Sequence, residues 1–238
     1  MTRLLTALFI LLLLSTNLQA QTPFYQGKTI SIVVGTKAGD VYDLYPRLLA
    51  EFMPKYIPGS PNIIIQNVPG AASLIAANQV YNVAKPDGLT LGSIYPALYF
   101  EQLIKRPEVK FDWSKFGWIG STVTSNHLMY MRADPPYKTI GDVRKASTAP
   151  KCGATGVTST GYYLPKLSGD FGRPIVTPPG VPADRLKILR EAFNKSVKDP
   201  ALLNEAEKRR LEIDPTSEEL ESLVKEVMAA SPQVIEKM

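Results

Sequence analysis

The chain has one histidine and one cysteine in 238 residues, and that scarcity excludes much before any motif is sought. His127 stands between Asn126 and Leu128 with no orienting partner in view, so histidine acid–base chemistry has no candidate pair. Cys152 has neither a second cysteine for a disulfide nor a ligand at zinc-binding spacing, and reads as a small apolar residue. No Gly-x-Ser-x-Gly elbow, His-Glu-x-x-His helix or Gly-Lys-Ser/Thr phosphate loop is present. Catalytic residues, metal ligands and cofactors are therefore expected to be none, and the chain reads as a binder, not an enzyme. Lys and Arg number 27 against 22 Asp and Glu. They are scattered, without the aromatic-interleaved basic stripe that nucleic acid would need. No apolar run reaches the roughly 18–20 residues of a membrane span.

What is present is an ordinary globular composition, 45% apolar and 21% charged, long enough for one large domain or two small lobes. Arg3 precedes the apolar run Leu4 to Leu14, followed by polar Ser15, Thr16 and Asn17 and a small residue at Ala20. This pattern is that of a secretory signal cleaved near Ala20, which places the mature chain in the periplasm.

The mature chain opens on alternating strand and helix signals. Ile30, Ile32, Val33 and Val34 read as a strand covered on both faces, closing into Gly35. Asp43 is expected to cap the next helix, with Pro46 in its first turn. Leu44, Leu48 and Phe52 line one face of that helix. A second strand runs from Asn62 to Gln66 and a third from Leu89 to Ile94, with an Ala/Asn-rich helix between them ending near Ala84. This order implies right-handed crossovers and a parallel sheet, with the loops after each strand at the ligand-binding edge. The first loop, Gly35 to Tyr42, would face a helix N-terminus suited to a carboxylate or phosphate.

Beyond Ile104 the pattern changes. Trp118 to Ser121 and Asn126 to Arg132 read as strands leading elsewhere. Thr139 caps a short helix with Asp142 three residues on. A strand near Cys152 then enters a hydroxyl-rich loop from Gly153 to Gly161, ahead of a helix that starts at Tyr162 and is cut short. Near the C-terminus, Leu186, Leu189, Phe193 and Val197 share a helical face. Asp199 and Pro200 start another helix, and Leu211 to Ile213 read as a short edge strand. Thr216 and Glu219 form a capping box ahead of Leu220, Leu223, Val224 and Val227.

Several of these stretches in order resemble one family: Tyr25-Gln26-Gly27-Lys28-Thr29-Ile30, the loop before Tyr42-Asp43, Gln66-Asn67-Val68-Pro69-Gly70-Ala71, Asp87-Gly88-Leu89-Thr90-Leu91-Gly92 and Pro178-Pro179-Gly180-Val181-Pro182. The family is the Bug receptors, periplasmic solute-binding proteins of tripartite tricarboxylate transporters. The likeness covers residues 24–167 and 168–238. It implies an α/β, two-lobed Venus-flytrap protein: a signal at 1–20, a first lobe from 21–118 and 171–238, and a second lobe at 119–170. The implied ligand is a small carboxylated or zwitterionic solute, held in the first lobe at Thr36, Lys37, Ala38, Gly39, Asp43, Asn67, Gly70, Ala71 and Ser73. Thr155, Thr158, Ser159 and Thr160 of the second lobe would meet its other end. The implied protein is a monomer that works with inner-membrane transporter subunits.

The chain departs from the family in two places. Consecutive glycines are replaced by Gly39-Asp40-Val41, which sets a negative charge where a carboxylate would arrive. At ~4 Å that repulsion is about 1 kcal/mol in water and about 4 at an effective dielectric of 20. After Leu167 the sequence passes at once to Ser168-Gly169-Asp170-Phe171-Gly172, omitting several dozen residues of the family's second lobe. That second lobe is therefore expected to be incomplete. Two other readings stay open: a truncated receptor whose lost clamp leaves a weak binder or scaffold, and a secreted hydrolase built on a carboxylate such as Asp43.

Overall fold

A computed structural model describes residues 22–124, 136, 139–145, 147, 171–217 and 220–229. Its centre is β1 (Thr29–Val34), whose run of β-branched residues is buried on both faces. Ile30, Ile32 and Val34 point into one core and Val33 into another, as the two-residue period of a strand requires. β2 (Asn62–Asn67) and β3 (Thr90–Ser93) flank β1 in parallel, with Val34 opposite Asn67 on one side and Ser93 on the other. The expected βαβαβ order is thus present, with α1 (Val41–Phe52) and α2 (Leu74–Asn82) as its crossovers. α3 (Leu98–Leu103) follows β3.

The sheet does not end there. Its order is β2-β1-β3-β5-β4, with β4 at Gly117–Ser121 and β5 at Pro174–Thr177. β5 runs antiparallel to both β3 and β4, so the sheet is mixed, not purely parallel. β4 therefore stays in this sheet instead of leading away from it. Trp118, Ile119 and Val123 are buried in its cores, and exposing them would cost more than leaving the edge gains. Leu211 to Ile213 form no strand; the contact is made just beyond, where Asp214 bridges Val123 and Thr216 bridges Ser121.

α4 (Ile140–Lys145) begins as expected. Thr139 Oγ1 accepts from the Asp142 N–H at 3.1 Å, and Asp142 accepts from the Thr139 N–H at 2.8 Å. α5 (Ala183–Ser196) and α6 (Pro200–Lys208) place Leu189, Phe193, Leu202 and Ala206 in the same core as Ile30, Leu48 and Leu49. The Asp199 side chain caps α6, accepting from the Ala201 N–H at 2.9 Å. α7 (Leu220–Met228) covers the opposite core, where Leu220 and Val224 join Trp113, Trp118 and Phe171.

The first helix differs from expectation in its cap. Asp40, not Asp43, is the N-cap of α1, and its side chain accepts from the Tyr42 N–H at 2.9 Å. The helix consequently starts at Val41, and Pro46 stands more than one turn inside it, where the bond back to the Tyr42 carbonyl is not made. Among the described residues no helix is long and apolar enough to cross a membrane. The signal expected over 1–20, His127, Cys152, the helix expected at Tyr162, Glu219 of the capping box, and Thr155, Thr158, Ser159 and Thr160 lie outside the described residues.

Candidate functional site: the strand-end loops

The loops after β1 and β2 meet at the carboxyl edge of the sheet because Gly35 lets them. A Cβ on Gly35 would lie 1.7 Å from Ser73 Oγ and 3.0 Å from Ser73 Cα. Only a residue without a side chain permits this approach. Ser73 is fully buried, and its Oγ accepts from the Tyr95 N–H at 3.2 Å, which brings the loop after β3 to the same place.

Asp43 holds the first loop together. It is fully buried and accepts from the Gly39 N–H at 2.7 Å, Arg47 Nε at 2.7 Å and Asn67 Nδ2 at 2.8 Å. Asn67 Nδ2 also donates to the Thr36 carbonyl at 3.0 Å, and Arg47 Nη2 donates to Asn67 Oδ1 at 3.0 Å. Burial pushes the Asp43 carboxyl upward, but the bonds from Arg47, Gly39 and Asn67 outweigh it and hold the group below the usual carboxylate range. Asp43 is thus turned into the protein, where it orients the loop. Thr36, Gly39, Asp43 and Asn67 form one connected unit, whereas Lys37 and Ala38 stand exposed at its rim.

The second loop is strained. Gly70 has φ 142°, and Ala71, Ala72 and Ser73 follow at 44°, 49° and 74°. Three successive non-glycine residues in the left-handed region cost roughly 1–2 kcal/mol each. They aim the start of α2 at the loop edge. Ser73 is the N-cap of α2 but makes no side-chain cap bond, because its Oγ is engaged with Tyr95. The leading N–H groups of α2 are therefore left uncapped by any side chain at that position. α1 is the reverse: Asp40 already occupies its N-terminus. The Leu74 N–H is taken by the Ala71 carbonyl, and the N–H groups behind it face the edge with no side-chain cap from Ser73.

The Thr36 hydroxyl in this edge lacks a partner. Thr36 is 7% exposed, and its Oγ1 has no hydrogen-bond partner. Tyr42 and Tyr95 close the other side with ring centroids 4.4 Å apart. Burial, then the charge of Asp40 and the neighbouring Tyr42, push the Tyr95 phenol up to about 12. Burial raises Tyr42 as well, against the opposing charge of Arg173. The Arg173 guanidinium carbon stands 5.1 Å from the Tyr42 ring and 4.5 Å from that of Tyr45.

Sequence reasoning missed Arg47, Tyr95 and Arg173. The four-residue spacing of Asp43 and Arg47 on a helix was a usable signal. Arg173 carried none, since it lies far along the chain from the loop it reaches. Among the described residues, no group of three or more His, Cys, Asp or Glu side chains gathers as a metal site would.

Solved structures of periplasmic solute-binding proteins share this arrangement of helices on a sheet. A TctC solute-binding protein from Polaromonas, solved without ligand, matches with a TM-score of 0.67 at 18% identity, over 90% of this chain and all of that one. An R. palustris protein solved with adipate matches at 0.65 and 14% identity, over 88% of this chain and 96% of its own. MatC from Rhodopseudomonas palustris, with bound malate, matches at 0.57 and 15% identity, over 87% and 99%. Neither a family model nor a curated protein matches the chain.

Proposed function

We propose that this chain captures a small carboxylated solute for a tripartite tricarboxylate-type transporter and catalyses nothing itself. The observation that carries the reading is the unpartnered Thr36 hydroxyl, buried beside the Gly35–Ser73 contact that leads into the uncapped start of α2. Neutral N–H and O–H donors in a half-dry site hold a carboxylate without a salt bridge. The malate and adipate bound in two proteins of the same fold support the choice of ligand. Lys37, Ala38, Gly39, Gly70 and Ala71 complete the first-lobe lining, with Asp43 and Asn67 setting its shape.

The proposal extends to the cell and the chain as a whole. Residues 1–20 direct export to the periplasm, residues 21–118 and 171–238 form the first lobe, and 119–170 form a shortened second lobe. Thr155, Thr158, Ser159 and Thr160 meet the far end of the solute, and the monomer passes it to inner-membrane transporter subunits.

The test is a thermal melt of the mature protein with malate, adipate, citrate and a set of amino acids. Ligand at 100 times Kd adds about 2.7 kcal/mol, which raises the Tm of a chain of this size by roughly 5–10 °C. No shift with any of them overturns the proposal. Replacing the orphan hydroxyl in Thr36→Val removes one donor and is expected to weaken binding about tenfold, read by calorimetric titration.

A further inference from the structure

Among the described residues, Arg173 is a cation brought to the strand-end edge from far along the chain. It directly precedes β5, whose Ile175 pairs with Ser93 at the end of β3, so it stands at the same edge as Gly35, Asn67 and Ser73. Its own N–H donates to Ser121 Oγ at 2.8 Å, which anchors the backbone there. The guanidinium then lies near the start of α1, its carbon 4.5 Å from the Tyr45 ring centroid and 5.1 Å from that of Tyr42. A guanidinium held by aromatic rings rather than by a carboxylate keeps its donors for a planar anion.

Among the described residues, those donors meet nothing. Nε is buried without a hydrogen-bond partner, and no carboxylate forms an ion pair with Arg173. The site is otherwise unfriendly to a cation, since the N-terminus of a helix carries partial positive charge. Asp40 sits at that helix end, but its bond goes to the Tyr42 N–H. Arg47, by contrast, is fully engaged with Asp43 and Asn67. A buried, unpartnered donor on a held guanidinium is costly unless an acceptor arrives.

We infer that Arg173 contacts the solute directly through a charge-assisted bond to an anionic group, and thereby selects ligands with two carboxylates over those with one. The inference rests on the solute-capture reading. In it, the neutral donors around Thr36 and α2 take one carboxylate, and the guanidinium takes the second. A brace that only tied β5 to α1 would stack on the tyrosines equally well without discriminating between ligands.

The experiment titrates the mature protein, Arg173→Gln and Arg173→Lys with succinate, malate and adipate, and with the mono-amide of each. Arg173→Gln is expected to lose about 10- to 100-fold in affinity for the dicarboxylates while its mono-amide affinity moves less than about threefold. Arg173→Lys keeps the charge without the planar fork and is expected to lose about fivefold or more on the dicarboxylates alone. Equal losses on both ligand series, or no loss on either, overturn the role assigned to Arg173 while leaving solute capture standing. Wild-type protein that binds none of the six ligands overturns the role assigned to Arg173, and the thermal melt with citrate and amino acids then decides solute capture separately. If Arg173→Gln fails to melt cooperatively, the Arg173→Lys titration decides by the same criteria.

Discussion

Asp43 shows how a single buried carboxylate organises a loop that it does not line. Its three donors come from a loop backbone, its own helix and the neighbouring strand, so removing it loosens all three together. Asp43→Ala is expected to cost about 2–3 kcal/mol, discounted because Arg47 is partly exposed to solvent screening, measured as a fall in the urea midpoint. The pH dependence follows from the lowered carboxyl. Its contribution is fully present above the unfolded value of about 3.9 and is lost as pH falls through the lower folded value. Asp43→Asn should therefore lower Tm near neutral pH and flatten its fall in the acid limb, where the wild type loses the same contribution. Gly35 acts at the same scale through absence. Gly35→Ala would drive a methyl into Ser73 and is expected to cost about 1–3 kcal/mol, together with most of the ligand-induced shift.

At the scale of elements, two helices that look alike in sequence play different parts. Each follows a strand and a small-residue loop, but Asp40 satisfies the start of α1, and Ser73 is drawn away from the start of α2 by Tyr95. The left-handed turn at Ala71, Ala72 and Ser73 is what aims the second helix at the edge. Ala72→Gly should relieve its share of that strain, offset in part by the greater entropy of an unfolded glycine. A net gain of about 0.5–1 kcal/mol is expected, seen as a higher denaturation midpoint. Solute affinity should fall in the same variant as the turn loses definition, which calorimetry would read directly.

At the scale of the molecule, segments distant in sequence complete the sheet and its cores. β5 enters between β3 and β4, and α5 and α6 cover the face that α1 leaves open. Phe193 fills the space over Gly120, where a Cβ would come within 2.2 Å of its ring. Phe193→Ala is expected to cost about 3–5 kcal/mol, a large part of the 5–15 kcal/mol that a domain typically holds. A drop in urea midpoint with unchanged slope would show that the protein still unfolds as one unit; a second transition would show that β4, β5 and α5 unfold apart from β1 to β3.

Local pattern was enough for β1 to β3, α1, α2, the Thr139–Asp142 box and the apolar stripe of α5, because periodicity and caps act over a few residues. It was also enough to bring the loops after β1 and β2 to one edge of the sheet, since strand ends in an α/β sheet are fixed by chain direction. Sequence pattern pointed to Asp43 as the cap, and the structure gives that place to Asp40. Both can reach the first turn, and what settled the choice is that Asn67, from the next strand, claims Asp43. Sequence by itself could not keep β4 in the sheet or bring Arg173 to Tyr42 and Tyr45, because both depend on β5 pairing with strands far away in the chain. Local pattern determined which loops gather at the carboxyl edge of the sheet. Long-range pairing decided which of its side chains are spent on the scaffold and which are left without a partner.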